Sequence, residues 1–282
     1  VVKTGTSERP DLPLAVVIGA GGMGMSAARR LGQSHRIVMA SLVPEQNAQR
    51  QQALFEDGID AVAVECDITD TESVAALAEF VAARGPLRTL AHVAALSPSL
   101  GTWREIISVN LVGAAAVERA LLPLAQQGTA AIFVSSLAAH LLAPPGVDVI
   151  EVLDNPLAPD FIERLEAVVP VQSPSTAYGL SKFAMNRMCR RRALAWGRRG
   201  ARIVSLSPGM IATPMGALEF AGASREGKLK LLANSPLARE GTMVETADAI
   251  EFLASPRASF ITGTDLLVDG GVAAALLFPG ET

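Results

Sequence analysis

Tyr178 and Lys182 stand one helical turn apart in Tyr178-Gly179-Leu180-Ser181-Lys182, which puts a phenol and an ammonium on one helix face. An ordinary tyrosine titrates near ~10, too high for an efficient base at neutral pH, and a neighbouring cation favours its phenolate. Such a pair could move a proton. The same spacing also suits a plain solvated face, so the neighbours must decide. This tyrosine is the chain's only one.

Three other stretches carry chemistry-bearing residues. The run from Ala130 to Val134 reads as a buried strand ending in Ser135-Ser136, hydroxyls suited to a substrate carbonyl. Asn110 interrupts an apolar helical pattern, where its amide must find partners or cost stability. Ser207-Pro208-Gly209-Met210-Ile211-Ala212-Thr213-Pro214 follows a later strand and turns where a ligand can meet the strand's end.

Near the amino terminus an apolar run enters Gly19-Ala20-Gly21-Gly22-Met23-Gly24, and a helical pattern follows. Strand, glycine loop and helix together suit a pyrophosphate: glycines let it approach the backbone, and the helix start supplies amide donors. The end of the second apolar run normally selects the cofactor, an acid there bonding the ribose 2′-hydroxyl. Here it is Met39-Ala40-Ser41-Leu42, with no carboxylate and no adjacent arginine. Ser41 could accept either cofactor. The missing acid tilts the reading toward NADP(H), and the missing arginine keeps that tilt small.

Elements that would position these residues alternate along the chain. Strand-like runs fall at Leu14–Ile18, Arg36–Ala40, Ala61–Glu65, Thr89–Val93, Ala130–Ser135, Arg202–Leu206 and Asp265–Val268. Helical patterns lie between them, the longest at Thr71–Arg84, Thr102–Ala125 and Thr176–Arg199. Strands joined by helices predict an α/β fold: a Rossmann-type, doubly wound parallel sheet of seven strands with helices on both faces, in one domain. Residues 1–11 read as a flexible tail and 12–282 as the domain. Two interruptions break the rhythm: a proline-rich insertion at 137–174, with one helical piece at Asp160–Val168, and a loop at 210–242. Long loops after strands are candidate substrate lids.

Composition excludes several classes. Half of the 282 residues are hydrophobic but only 4% aromatic, so Ala, Val, Leu and Ile must build the core. A net charge of −4 argues against an electrostatic nucleic-acid binder. The arginines from Arg187 to Arg199 read as a solvated helix face, with Met185, Met188 and Leu194 turned inward. Cys66 and Cys189 are far apart and suit reduced thiols, and no metal-ligand spacing links them to His35, His92 or His140. Uninterrupted apolar runs fall short of the ~20 residues of a spanning helix. A cytoplasmic protein without membrane, nucleic acid or metal is expected.

Taken in order, these motifs resemble the short-chain dehydrogenase/reductase family in its single-domain branch. The likeness runs from about Leu12 to Val272. It is carried by the glycine loop, Cys66-Asp67-Ile68, Val109-Asn110, Ser135-Ser136, Tyr178 to Lys182, Pro208-Gly209 through Thr213-Pro214, Gly263 and Asp269-Gly270-Gly271. The resemblance implies an NAD(P)(H)-dependent oxidoreductase interconverting an alcohol and a ketone, with Asn110, Ser136, Tyr178 and Lys182 as a catalytic tetrad. It implies proton transfer by Tyr178, tuned by Lys182, with Ser136 orienting the substrate oxygen and Asn110 holding a water that links Lys182 to solvent. Cofactor contacts would come from Gly19, Gly21, Gly22, Met23, Gly24, Ser41, Asp67, Ile68, Ala94, Tyr178, Lys182, Pro208, Gly209, Ile211 and Thr213. A homo-oligomer, dimer or tetramer, is also implied.

The chain departs from the family pattern in three places. Its glycine loop is one residue short and preceded by Ile18, which leaves open which glycine faces the pyrophosphate. His92-Val93-Ala94-Ala95 stands where the family has Asn-Asn-Ala-Gly; His92 either replaces an asparagine or is a core histidine with a backbone partner. Ser136 and Tyr178 are much farther apart than usual, because of the insertion. That insertion and parts of the carboxyl-terminal half resemble the bacterial 3α-hydroxysteroid dehydrogenase/carbonyl reductases, which implies cyclic or steroid-like apolar alcohols and ketones. It lies beside the helix through which relatives dimerise, so an altered assembly is expected. Leu96, Trp103, Leu141, Leu142, Met215 and Phe220 suit either a greasy pocket or core. The alternative to an enzyme is a silent cofactor-binding sensor or scaffold on the same fold.

Overall fold

A computed structural model describes residues 11–213, 225–233 and 235–278. Its main strands are β1 (Leu14–Ile18), β2 (Arg36–Ser41), β3 (Ala61–Glu65), β4 (Leu87–His92), β5 (Ala130–Val134), β6 (Arg202–Pro208) and β9 (Asp265–Val268). They form one parallel seven-stranded sheet in the order β3-β2-β1-β4-β5-β6-β9, which is the expected doubly wound architecture. Two short strands, β7 (Ile211–Ala212) and β8 (Gly241–Thr242), pair outside it.

Strand residues alternate between two buried faces. Val16, Ile18, Phe133 and Ile203 meet α3 (Thr71–Ala82), α5 (Ala114–Leu121) and α9 (Pro174–Gly197) on one side. Val17, Ile132 and Val204 meet α1 (Gly22–Leu31), α2 (Pro44–Glu56) and α11 (Met243–Ala254) on the other. Burying both faces explains why these strands read as continuous apolar runs. Sequence order reverses between β1 and β4, so the crevice for a ligand opens at their carboxyl ends.

The helical pattern from Thr102 to Ala125 is not one uniform helix. It comprises α4 (Trp103–Ile107), a π-helical turn at Ser108–Gly113, then α5 and a short 3-10 turn at Leu122–Leu124. The Trp103–Leu124 run is long and apolar enough to cross a membrane by length and composition, although polar residues interrupt it. More than half of it packs inside the protein, so its hydropathy serves the core.

The insertion folds into three helices rather than one: α6 (Ala138–Leu141), α7 (Val147–Leu153) and α8 (Phe161–Val168). Val149, Leu153, Phe161 and Leu165 form a third apolar cluster with Trp103, Ile107, Ala177 and Leu180. Trp103 is thus core, and Leu142 packs against the same cluster. The arginines of α9 do not form a merely solvated face. Arg187 and Arg191 hold Asp154 at 2.7 and 3.3 Å, tying α7 to α9, and Arg192 holds the buried Glu118 at 2.8 Å. Met185 and Met188 are buried as expected, but Leu194 is exposed. In the 210–242 loop, β7, α10 (Arg225–Ala233) and β8 are ordered elements. Residues 1–10, Pro214, Met215 and Phe220 lie outside the described residues.

Candidate active site

The glycines divide into two kinds. Gly19 has φ +94°, and a Cβ there would lie 2.6 Å from Ala94 N. A Cβ on Gly24 would lie 1.8 Å from Gly19 O. Both are required by close packing of the loop against the ends of β1 and β4. Gly21 has open space before it, with nothing within 4 Å of a Cβ, and is the N-cap of α1. No side chain caps that helix start and no acid sits in its first turn, so its amides and positive dipole end are available to an anion. Gly21, Gly22 and Met23 line the cleft. Gly24→Ala is expected to lower thermal stability and dinucleotide affinity together, because overpacking costs about 1–3 kcal/mol. Gly21→Ala should lower the melting temperature far less, by no more than the loss of a favourable N-cap residue; equal melting of both variants would refute this division.

Beside the loop, Ser41 at the end of β2 donates its hydroxyl hydrogen to Asn47 Oδ1. The buried Asn47 is fixed by its own donations to Ser41 O at 3.1 Å and Val64 O at 3.2 Å. Asp67 Oδ1 accepts from Thr69 N and Oγ1 at 2.8 and 2.6 Å, and Ile68 packs against Gly113. Ser41, Asp67, Ile68 and Ala94 all line the cleft.

Ser135 and Ser136 separate by role. Ser135 is buried and donates to Lys182 O at 3.0 Å. Ser136 accepts from Ala138 N at 3.1 Å and lines the cleft, with its hydroxyl proton still to place. Lys182 is 1% exposed, its Nζ donating to Val134 O at 2.9 Å and lying 5.7 Å from the Tyr178 ring centre. Burial pulls its pKa down to about 7. Tyr178 and Lys182 line the cleft together, as do Pro208, Gly209, Ile211 and Thr213. A Cβ on Gly209 would lie 2.6 Å from Asp269 Cα, which is why two glycine-bearing motifs distant in sequence meet here.

Asn110 sits in the π-helical turn, fully buried. Its Nδ2 donates to Leu96 O at 2.9 Å and its Oδ1 accepts from Leu96 N at 2.7 Å, so the amide pins the loop after β4. His92 is a core histidine, stacked on Phe133 with ring centres 5.2 Å apart. Among the described residues its ring nitrogens have no hydrogen-bond partner from another residue, and burial, with Lys182 second, lowers its pKa to about 3. It is neutral at any working pH.

The cleft measures ≈1220 Å³, more than the ~300–1,000 Å³ of an ordinary small-molecule pocket. Its glycine end presents open backbone and free helix amides, and its other end a phenol, a lysine and a serine. These features fit a dinucleotide with a second reactant beside it. Arg50 also lines the cleft, a residue that no motif in the sequence pointed to.

Sequence profiles match in two parts: "short chain dehydrogenase" over residues 13–147 and "Enoyl-(Acyl carrier protein) reductase" over residues 163–273. The short-chain dehydrogenase/reductase bsc3 of Alternaria brassicicola is 34% identical over 93% of this chain and 96% of its own length. The chain belongs to the short-chain dehydrogenase/reductase family. This short-chain dehydrogenase/reductase is also 33% identical to the 3-alpha-hydroxysteroid dehydrogenase/carbonyl reductase of Comamonas testosteroni, over 65% of this chain and 71% of that one. In fold it is similar to a single-substitution variant of actinorhodin polyketide ketoreductase solved with NADPH, with TM-score 0.74 and 22% identity over 94% of this chain and 98% of that chain. As a family member it is an NAD(P)-dependent oxidoreductase.

Proposed function

We propose that this enzyme interconverts a secondary alcohol and a ketone, cyclic or steroid-like, with Tyr178 as the proton donor and acceptor and with NADP(H) favoured. The observation that carries this reading is the meeting of Tyr178, Lys182 and Ser136 in the wall of the cleft that the glycine loop opens. A bound nicotinamide supplies or takes the hydride. Tyr178 gives its hydroxyl proton to the carbonyl oxygen in reduction and takes it back from the alcohol in oxidation. Ser136, its oxygen engaged by Ala138 N, has its proton free to direct at the same oxygen. Lys182, when charged, favours the phenolate. Asn110 keeps the β4 loop in place beside them.

Leu96, Leu141, Met210 and Leu231 line the cleft and favour an apolar reactant, as does the likeness to an enzyme named for a hydroxysteroid. The homo-oligomer is carried over from the family, and the cytoplasmic setting from the two cysteines, read as reduced thiols. The test is a panel of cyclic ketones and secondary alcohols with NADPH and NADH, followed by absorbance. Turnover of apolar cyclic compounds with NADPH is expected. Binding of both cofactors with no turnover across the panel would replace this reading with a silent sensor or scaffold.

A further inference from the structure

Among the described residues lining the nucleotide end of the cleft, Arg50 is the cation. It lies on the second turn of α2, half-buried, and its Nη2 donates to Gln46 Oε1 at 2.6 Å. That partner is neutral and on the same helix, and among the described residues no carboxylate forms an ion pair with the guanidinium. Partial burial meanwhile disfavours its charge, a cost that a nearby anion would offset.

Ser41 sharpens the point. Asn47 donates to two main-chain carbonyls, which fixes its amide orientation and leaves Oδ1 to take the Ser41 proton. Ser41 therefore offers lone pairs and no free proton. A phosphate needs donors, and the end of β2 supplies neither a donor from Ser41 nor a carboxylate to repel a phosphate. The planar fork of an arginine meets a phosphate with parallel N–H donors.

We infer that Arg50 binds the 2′-phosphate of the cofactor and sets the choice of NADP(H) over NAD(H). This rests on the nicotinamide reading above and names the residue that gives it its preference.

The experiment titrates the full chain with NADPH, NADH and 2′,5′-ADP by fluorescence or calorimetry, for wild type, Arg50→Gln and Arg50→Lys. Wild type should bind NADPH about tenfold or more tighter than NADH. Arg50→Gln should weaken NADPH and 2′,5′-ADP by about 10–100-fold, the size of a charged hydrogen-bond contact, with NADH nearly unchanged. Arg50→Lys should keep part of the affinity, as a point charge without the fork. Unchanged NADPH binding in Arg50→Gln, equal loss of NADPH and NADH, or NADH preference in wild type would each overturn the assignment. Failure of the cofactor reading itself looks different: wild type would bind neither dinucleotide, and both proposals would fall.

Discussion

Tyr178→Phe is expected to lower kcat by about 10²–10⁴-fold, the usual contribution of a positioned acid or base. The change removes one hydroxyl and leaves the ring, which is partly buried against the third apolar cluster. NADPH affinity and melting temperature should therefore stay near wild type, and the loss should fall on kcat rather than on cofactor Kd. A large fall in stability would mean that the hydroxyl holds the fold, and unchanged turnover would remove Tyr178 from the chemistry. The matched control is Ser135→Ala beside Ser136→Ala. Ser136 borders the cleft and Ser135 bonds the Lys182 carbonyl, so only the former should mimic the phenylalanine variant in kcat.

Lys182→Met should abolish most turnover and at the same time make the protein more stable. Lys182 is fully buried, and burial lowers its pKa from 10.5 to about 7. Below pH 7 both folded and unfolded chains carry the proton, and the folded state bears the whole cost of a buried ammonium. Between 7 and 10.5 the folded chain releases the proton while the unfolded chain keeps it, so stability rises with pH across that window. Methionine keeps the length of the side chain without the charge. The variant should melt higher by about 5 °C or more near ~pH 6, and the gap should close as pH approaches ~10. A gap that is constant with pH, or a variant that melts lower at acid pH, would show that the ammonium is not held at a cost. His92 does not confuse the measurement, because its pKa near 3 keeps it neutral throughout.

Much of this was legible in the sequence, for identifiable reasons. Leu14–Ile18 and Ala130–Val134 are buried on both faces, so their apolar runs had no gaps to mislead. Gly19, Gly21 and Gly24 lie between a strand and a helix, a context that points to a dinucleotide, while the short loop left open which glycine faces the pyrophosphate. Other features depend on contacts that spacing does not encode. Helix α7 follows Pro144-Pro145-Gly146, which reads as a break, and its register is fixed by Asp154 reaching Arg187 across the fold. Arg50 lies in the polar stretch Pro44–Glu56, in which only Asn47 and Leu54 are buried, so nothing in the pattern aims it at a ligand. Asn110 could be recognised as a buried amide needing partners, but not that Leu96 supplies both. The arginines of α9 were misread for the same reason: Asp154 and Glu118 are distant in sequence.

The third apolar cluster has a consequence for how the two ends of the cleft behave under change. Its members come from the insertion, α4, the π-helical turn and α9, and none of them belongs to the cluster that packs behind the glycine loop. Loosening it should speed amide exchange across α7 and α8 while β1 and α1 stay protected, because poorly coupled regions open at separate free energies. Substitutions at Val149 or Phe161 would then reshape the berth beside Tyr178 without disturbing nucleotide affinity. The enzyme thus carries a tunable half and a fixed half, and variation in which molecules it accepts can accumulate in the first while the second stays as it is.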